Sequence, residues 1–324
     1  MNTIYGTGTD EAARPGSDAA ALPIGVFDSG VGGLTVVREI VKRLPQESIL
    51  YFGDTLRCPY GPRPLEEIRG FARQITAWLS AQGVKMIVVA CNSATAAALT
   101  SIQRESSVPV IGVVEPGARA AVQATISRRV GIIGTTATID SDIYNRAIHA
   151  LDTGVMTFST ATPRFVEMVE QGLRLDRMSL ASGAAAGHAA YDCPPFVKIA
   201  HDYLDPLRRC DIDTLVLGCT HYPLLTPLIR QIMGAQVRII SSATETVRDV
   251  AETLDRRGQL APSDTQPCYH FASTTAEGED FARFGQVILE RPIGSPRQVM
   301  VHELEEALQD FRTRLRLRTA HAPA

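Results

Sequence analysis

The sequence predicts an α/β fold with two similar, doubly wound parallel-sheet domains and a ligand cleft between them. Short apolar stretches alternate with amphipathic helical stretches along most of the chain, which is the pattern of parallel sheets covered by helices. The 324 residues suffice for two domains. Two stretches, 84–95 and 212–223, share one layout: an apolar strand, a cysteine, then hydroxyl or amide side chains.

The first half of the chain contains four predicted strands. Their apolar residues run without alternation, which indicates strands buried on both faces. The helices between them carry apolar residues at helical spacing. Strands are predicted at Ile24–Phe27, Ser48–Gly53, Met86–Ala90 and Val108–Val114, and helices at Leu34–Leu44, Leu65–Ser80 and Ala94–Gln103. We expect Glu115 and Pro116 to break the fourth strand.

The same alternation restarts in the second half. Strands are predicted at Val130–Gly134, Val155–Ser159, Thr214–Leu217, Val237–Ile240 and Tyr269–Ala272. Helices are predicted at Arg119–Ile126, Ala137–Leu151, Phe165–Gln171, Phe196–Arg208, Leu224–Met233, Thr244–Arg257 and Glu279–Leu289. Residues 173–193 are rich in Ala, Gly and Ser, and we interpret them as a loosely packed insertion. The amphipathic tail after Arg297 predicts a terminal helix docked on the body, with a partner-binding helix as the alternative.

Composition and charge exclude several classes of protein. The net charge is -3 and the pI about 6.2, so we expect neither a nucleic-acid nor an anionic membrane partner. No apolar run approaches the roughly 18 residues of a membrane span. Residues 1–22 lack the features of a secretory signal and are predicted to be a disordered extension. We therefore expect a cytoplasmic protein with reduced cysteines, and no cysteine spacing indicates a metal site.

Cys91 and Cys219 each follow a predicted strand, where ligands of open α/β sheets bind. Inverting a carbon centre by proton transfer needs a base on one face and an acid on the other, and cysteine can serve as either. Asp28, at the end of the first strand, and His221, two residues after Cys219, could assist them. For each cysteine taken alone, and for His221, a buried structural role is the alternative.

Five motifs occur in order along the chain. They are Ile-Gly-Val-Phe-Asp-Ser-Gly-Val-Gly-Gly-Leu at 24–34, Phe-Gly-Asp at 52–54, Pro-Tyr-Gly at 59–61, Ala-Cys-Asn-Ser-Ala at 90–94 and Leu-Gly-Cys-Thr-His-Tyr-Pro at 217–223. Together, over about residues 23–289, the chain resembles the glutamate racemases of the aspartate/glutamate racemase family. The resemblance implies a cofactor-independent isomerase that interconverts L- and D-glutamate and supplies D-glutamate for bacterial peptidoglycan.

The resemblance also implies a domain division. A first α/β domain would comprise residues 23–114 and 225–297, a second would comprise 115–224, and 298–324 would form a tail helix. The active site would lie between the two domains. The oligomeric state stays open, with a homodimer as one alternative.

Residue roles follow by position from the resemblance. Cys91 would take the α-proton of D-glutamate, and Cys219 that of L-glutamate. Asp28 and His221 would assist the respective thiols, and Glu170 would assist on the His221 side. The residues implied to contact the substrate are Asp28, Ser29, Tyr60, Gly61, Asn92, Ser93, Thr220 and His221.

The chain departs from the family pattern at three places. Ser93 stands where many members carry threonine, Thr162 replaces a common cysteine before Pro163, and 241–244 lacks expected acidic residues. Three alternatives stay open: an aspartate or hydantoin racemase, a non-catalytic amino-acid-binding regulator, and a thiol hydrolase with one catalytic cysteine.

Overall fold

The computed structural model describes residues 17–181, 191, 193–275 and 278–320. The chain forms two compact units. The first unit is built from the chain up to Tyr60, from Pro64–Gly112 and from Val247 onwards, and the second from Gly61–Arg63 and Val113–Thr246.

Strands and helices alternate along both units. Within the described residues the strands are β1 (Ile24–Asp28), β2 (Ile49–Gly53), β3 (Met86–Val89), β4 (Val110–Gly112), β5 (Arg129–Gly134), β6 (Met156–Ala161), β7 (Thr214–Gly218), β8 (Arg238–Ser241), β9 (Tyr269–Ser273) and β10 (Arg297–Gln298). The α-helices are α1 (Ser17–Ala21), α2 (Leu34–Arg43), α3 (Leu65–Ala81), α4 (Asn92–Glu105), α5 (Val114–Ala124), α6 (Thr136–Asp140), α7 (Ile143–Leu151), α8 (Arg164–Ala181), α9 (Pro194–Arg208), α10 (Thr226–Met233), α11 (Ser242–Arg256), α12 (Gly278–Leu289) and α13 (Val301–Ala320).

Each unit contains one sheet in which all neighbouring strands are parallel. The first sheet has the order β10-β9-β2-β1-β3-β4 and the second has the order β6-β5-β7-β8. In chain order, β1–β4 and β5–β8 are therefore arranged in the same way: second strand, first, third, fourth. β1, β2, β3 and β7 are buried along their whole length, as expected when helices cover both faces. The predicted α/β fold class, with two parallel sheets, is confirmed.

The predicted helix over 137–151 is wrong in one respect, because the structure has two helices there. α6 ends at Asp140 and α7 begins at Ile143. Asp142 adopts a left-handed backbone conformation with φ of 57°, which a continuous helix cannot contain. Local apolar spacing is the same on both sides of this break, so periodicity alone does not reveal it.

The expectation that Glu115 and Pro116 break a strand is also wrong. β4 already ends at Gly112, and both residues lie in the first turn of α5. A proline is tolerated there because the N–H groups of a first helical turn have no partner within the helix.

The predicted insertion over 173–193 is wrong for residues 173–181, which continue α8. Leu, Arg and Met in this part are good helix formers. Residues 182–190 and 192 lie outside the described residues.

The predicted disordered extension is wrong at its C-terminal end, where Ser17–Ala21 forms α1. The carbonyl oxygen of Ala20 accepts a hydrogen bond of 2.7 Å from the buried Lys85 Nζ, which also pairs with Glu47 at 2.5 Å. This contact ties the segment to the first unit. Residues 1–16 lie outside the described residues.

The C-terminal tail docks on its own chain, since α13 packs against α3 with Leu304, Ala307 and Leu308 buried. The docked interpretation is therefore confirmed for the first half of this helix. The domain division differs from the implied one between residues 225 and 246. These residues belong to the second unit because β8 pairs with β7.

None of the helices in the described part of the chain combines the length and the apolar character needed to cross a lipid bilayer.

The carboxylate of Asp213, just before β7, holds the connection between α5 and β5. It accepts hydrogen bonds from Thr125 Oγ1 at 2.6 Å, from Ile126 N at 2.7 Å and from Ser127 N at 2.6 Å. Burial would raise the pKa of Asp213, but these hydrogen bonds outweigh it and lower the pKa from 3.8 to about 2.

We expect Asp213→Asn to lower the free energy of unfolding at pH 7 by about 1 kcal/mol, a value reduced for solvent screening of this partly exposed group. The pKa in the folded protein is below the unfolded value, so the stabilisation is present above pH 3.8 and is lost as the pH falls towards 2. Urea midpoints of the two proteins should therefore converge below pH 4. Asp264→Asn, at an exposed loop position, is the control. A difference independent of pH would contradict this account.

Candidate active site

Cys91 and Asp28 end neighbouring strands of the first sheet. β1 and β3 are parallel, with Phe27 aligned to Val89, and Ala90 N donates to Phe27 O at 2.9 Å. The two side chains therefore lie at the same edge of the sheet. We call Asp28, Ser29, Cys91, Asn92 and Ser93, all of them buried, the first thiol cluster.

The turn after β1 orients the carboxylate of Asp28. Asp28 Oδ2 accepts hydrogen bonds from Gly33 N at 2.9 Å and from Gly30 N at 3.4 Å. A Cβ atom at Gly33 would lie 2.9 Å from the hydroxyl oxygen of Tyr51, so only glycine fits this close approach. The backbone amides thus hold one oxygen of a buried carboxylate in place.

The pKa of Tyr51 responds to the negative charges in this cluster. Its hydroxyl donates to Gly30 O at 2.7 Å. Burial raises the pKa of Tyr51 well above its usual value, and the nearby negative charges of Asp28 and of a Cys91 thiolate raise it further. Tyr51 therefore stays protonated while it faces the two groups.

Cys91 lies directly before the first residue of α4. Its carbonyl oxygen accepts hydrogen bonds of 2.9 Å from the N–H and the hydroxyl of Thr95, which close the first turn. The N-terminus of a helix carries partial positive charge, which favours a thiolate at this position.

Asp54, at the end of β2, organises a buried network beside the first thiol cluster. Tyr60 donates a short hydrogen bond to Asp54, Thr274 Oγ1 donates at 3.1 Å, and Arg57 Nε pairs with Asp54 Oδ2 at 2.7 Å. Burial raises the pKa of Asp54, although Arg57, Tyr60 and Thr274 each lower it. The hydroxyl of Tyr60 is thus directed at Asp54.

Gly61 belongs to the second unit. Its carbonyl oxygen accepts a hydrogen bond of 2.9 Å from Ala137 N, and a Cβ at this position would lie 2.9 Å from Thr135 Cβ. Glycine is the residue that allows the chain to approach Thr135 so closely.

The second thiol cluster comprises Cys219, Thr220, His221 and Glu170. Cys219 follows β7, the third strand of its sheet, as Cys91 follows β3. His221 Nδ1 lies 3.8 Å from Cys219 Sγ, and His221 Nε2 lies 3.7 Å from Glu170 Oε1. His221 is 3% exposed, whereas the side chain of Glu170, on α8, is 31% exposed.

The histidine and the carboxylate stabilise each other's charged forms. Burial alone lowers the pKa of His221, but its contacts with Cys219 and Glu170 and the negative charge of these groups raise it from 6.5 to about 10. Burial alone raises the pKa of Glu170, but His221, with a further contribution from Arg174, holds it below its usual value. At neutral pH the imidazole is therefore an imidazolium, a group that can donate hydrogen bonds from both nitrogens.

Tyr144 and Ser242 form a buried pair near Cys219. A side-chain hydrogen bond joins them, and Ser242 Oγ also donates to Leu217 O at 3.3 Å. Burial raises the pKa of Tyr144 far above its usual value, and the charge of a Cys219 thiolate adds to this effect.

Within the described residues, no three His, Cys, Asp or Glu side chains come together as ligands of a metal ion would.

Residues 24–250 match the family model of the Asp/Glu/Hydantoin racemases. The match covers more than half of the chain. The chain belongs to this racemase family.

Individual members of the family resemble the chain over nearly its whole length. It is 45% identical over 286 residues to a glutamate racemase of Exiguobacterium sibiricum, covering 88% of this chain and 98% of that relative. The crystal structure of glutamate racemase isoform RacE1 from Bacillus anthracis is 42% identical, with a TM-score of 0.77, and covers 86% of this chain and 97% of that one. A glutamate racemase from Francisella tularensis, solved with D-glutamate, is 31% identical, with a TM-score of 0.76 and coverages of 87% and 98%.

In this family member, the predicted site residues fall into two groups. Five of them form the first thiol cluster in the first unit, and four form the second thiol cluster in the second unit. The remaining two are Tyr60, in the first unit, which is hydrogen-bonded to Asp54, and Gly61, in the second unit, which packs closely against Thr135. That the two clusters act on one ligand stays a prediction.

Some polar groups at these clusters are absent from the residues predicted from the sequence. Asp54 ends a predicted strand within the Phe52-Gly-Asp motif, so its position in the sequence could have predicted a place near the site. Tyr51, Tyr144 and Ser242 carry no such signal, because their roles depend on contacts between distant segments.

Proposed function

We propose that this chain interconverts L- and D-glutamate by direct proton transfer at the α-carbon, without a cofactor. One observation carries the proposal. Two sheets with the same strand order each place a cysteine after the third strand. Asp28 ends the strand beside the one that precedes Cys91, and His221 Nδ1 lies 3.8 Å from Cys219 Sγ.

In the D-to-L direction, the thiolate of Cys91 takes the α-proton. The C–H bond breaks, an S–H bond forms, and the electron pair is delocalised into the substrate's own carboxylate. The thiol of Cys219 then donates its proton to the opposite face of the carbon, which leaves a thiolate on Cys219. In the L-to-D direction the two thiols exchange roles, so no net proton is gained or lost.

The two helpers assist their thiols in different ways. When Cys219 has lost its proton, the adjacent imidazolium of His221 stabilises the thiolate, and Glu170 keeps the imidazole charged. Asp28, held by the amides of Gly30 and Gly33, is the corresponding acid–base group beside Cys91.

The remaining polar side chains of the clusters suit a small amino acid with two carboxylates and an ammonium group. We assign substrate contacts to Asp28, Ser29, Tyr60, Gly61, Asn92, Ser93, Thr220 and His221. Because the hydroxyl of Tyr60 is directed at Asp54, we assign Tyr60 a contact through its ring or backbone rather than through its hydroxyl.

Glutamate is favoured over aspartate and hydantoins, although the family name includes all three. The relatives at 45% and 42% identity are named glutamate racemases, and the one from Francisella tularensis was solved with D-glutamate. D-Glutamate is a building block of bacterial peptidoglycan, so we infer a role in cell-wall synthesis. The six free cysteines suit the reducing cytoplasm.

We expect the purified protein to convert L-glutamate to D-glutamate and back, and to leave aspartate and hydantoins unchanged. In D₂O, deuterium should enter the α-carbon mainly in the inverted product, because a different thiol delivers the second proton. Chiral chromatography with mass spectrometry measures both. Turnover of aspartate instead would favour another racemase of the family. Binding of glutamate without turnover would favour a regulator, and early label in the unreacted enantiomer would favour a single base.

A further inference from the structure

Beside the second thiol cluster, two buried hydroxyl groups join the connection between β6 and α8 to the turn that carries Cys219. Thr162 Oγ1 donates to the hydroxyl oxygen of Tyr222 at 2.8 Å, and the Tyr222 hydroxyl donates to the carbonyl oxygen of Thr162 at 2.9 Å. Both residues are fully buried. A hydroxyl without partners in such surroundings is costly, so the reciprocal pair is a strong geometric constraint.

Thr162 also holds the start of α8. Its N–H donates to Gly134 O at 2.8 Å, and its carbonyl oxygen accepts from Phe165 N at 3.0 Å. The Phe165 ring meets the Tyr222 ring edge-on, with 5.5 Å between the centroids. Hydrogen bonds and a ring contact thus anchor the first turn of α8 on Tyr222.

The position of Glu170 follows from this anchor. Glu170 lies on the second turn of α8, about 9 Å along the axis from Arg164 at the usual helical rise. Its carboxylate is 3.7 Å from His221, the residue before Tyr222. The contacts therefore close a ring that runs from His221 to Tyr222, to Thr162, along α8 to Glu170 and back to His221.

We propose that Thr162 and Tyr222 are positioning residues. They hold the carboxylate of Glu170 against His221 and thereby determine the electrostatic environment of Cys219. This inference rests on the proposed function, in which His221 and Glu170 serve proton transfer at Cys219.

Matched substitutions separate the effect of losing a hydroxyl group from the effect of changing the side-chain packing. Thr162→Val keeps the shape and Tyr222→Phe keeps the ring, and each removes one hydroxyl. Thr162→Ser keeps the hydroxyl. Tyr203→Phe removes a hydroxyl from the other ring that packs on Phe165, with 5.3 Å between the centroids. Melting temperatures show whether each variant is folded.

We expect Thr162→Val and Tyr222→Phe to lower kcat about 10-fold, with KM changed less than about 2-fold, because a misplaced acid–base group slows proton transfer more than binding. The primary isotope effect should be larger with α-deuterated L-glutamate than with the D-enantiomer, since Cys219 deprotonates the L-form. Thr162→Ser and Tyr203→Phe should match the wild type.

A second measurement does not depend on turnover. The rates at which iodoacetamide alkylates Cys219 and Cys91 are followed by peptide mass spectrometry at pH 7. With Glu170 displaced, His221 stabilises a Cys219 thiolate less, so alkylation of Cys219 should slow several-fold in Thr162→Val and Tyr222→Phe. Cys91 in the same chains is the internal control.

The two measurements distinguish the proposals. A wild-type protein that does not racemise glutamate refutes the proposed function, while alkylation still decides the role of Thr162 and Tyr222. Unchanged or faster alkylation of Cys219 in the two variants overturns the positioning role. An equal loss of kcat in Thr162→Ser, or an equal slowing of the alkylation of Cys91, also overturns it, because the effect would then be a general structural one.

Discussion

Replacing Cys91 or Cys219 by alanine is expected to abolish racemisation of glutamate in both directions. Each turnover needs one sulfur to remove a proton and the other to supply one, so either substitution leaves one face of the α-carbon without an acid–base group. We expect kcat/KM to fall by more than about 10³-fold for both enantiomers. Circular dichroism of the amino acid measures both directions, and melting temperatures confirm that the variants are folded.

The chain offers matched controls for these two variants. Cys210 is half-buried and Cys268 is exposed, and neither lies in a thiol cluster. Cys210→Ala and Cys268→Ala should keep full activity. Residual turnover near the wild-type rate in Cys91→Ala or Cys219→Ala would refute the two-base mechanism.

His221→Asn and Asp28→Asn are each expected to lower kcat/KM about 10²-fold, and each should raise the primary isotope effect for a different enantiomer of glutamate. Because the equilibrium constant between enantiomers is one, each variant must lose the same kcat/KM in both directions. The affected proton transfer nevertheless becomes rate-limiting. His221→Asn should therefore raise the primary isotope effect for α-deuterated L-glutamate, and Asp28→Asn should raise it for the D-enantiomer.

Deuterated substrates and initial rates measure these effects.

The raised pKa of His221 predicts how activity and stability depend on pH. The imidazolium charge, and the stabilisation that its pairing with Glu170 contributes, are fully present below pH 6.5 and are lost as the pH rises through about 10. Wild-type activity should fall in that alkaline range, and His221→Asn should lack this part of the profile. The same isotope asymmetry in both variants would contradict the assignment of helpers to thiols.

Most strands and several helices could be predicted from local pattern. β1, β2, β3 and β7 are short, buried and mostly apolar runs, and α2 and α3 begin at the predicted residue. The break at Asp142 could not, because local apolar spacing does not report a single left-handed residue. The extension of α8 to Ala181 was missed although Leu, Arg and Met in residues 173–181 favour a helix.

The sequence by itself determined two strand–cysteine–helix stretches and the side chains that follow them. Such features depend on neighbours along the chain, so apolar pattern and spacing suffice to find them. The motifs in these stretches resemble the racemase family, and the family match over residues 24–250 agrees with that resemblance.

Only the tertiary structure decided which strands are neighbours and which distant side chains meet. β3 lies beside β1, which sets Cys91 next to Asp28, and α8 brings Glu170 within 3.7 Å of His221. The network around Asp54 and the pair of Thr162 and Tyr222 likewise join segments far apart in the chain. Strand order and packing decide such contacts, and no local propensity contains them.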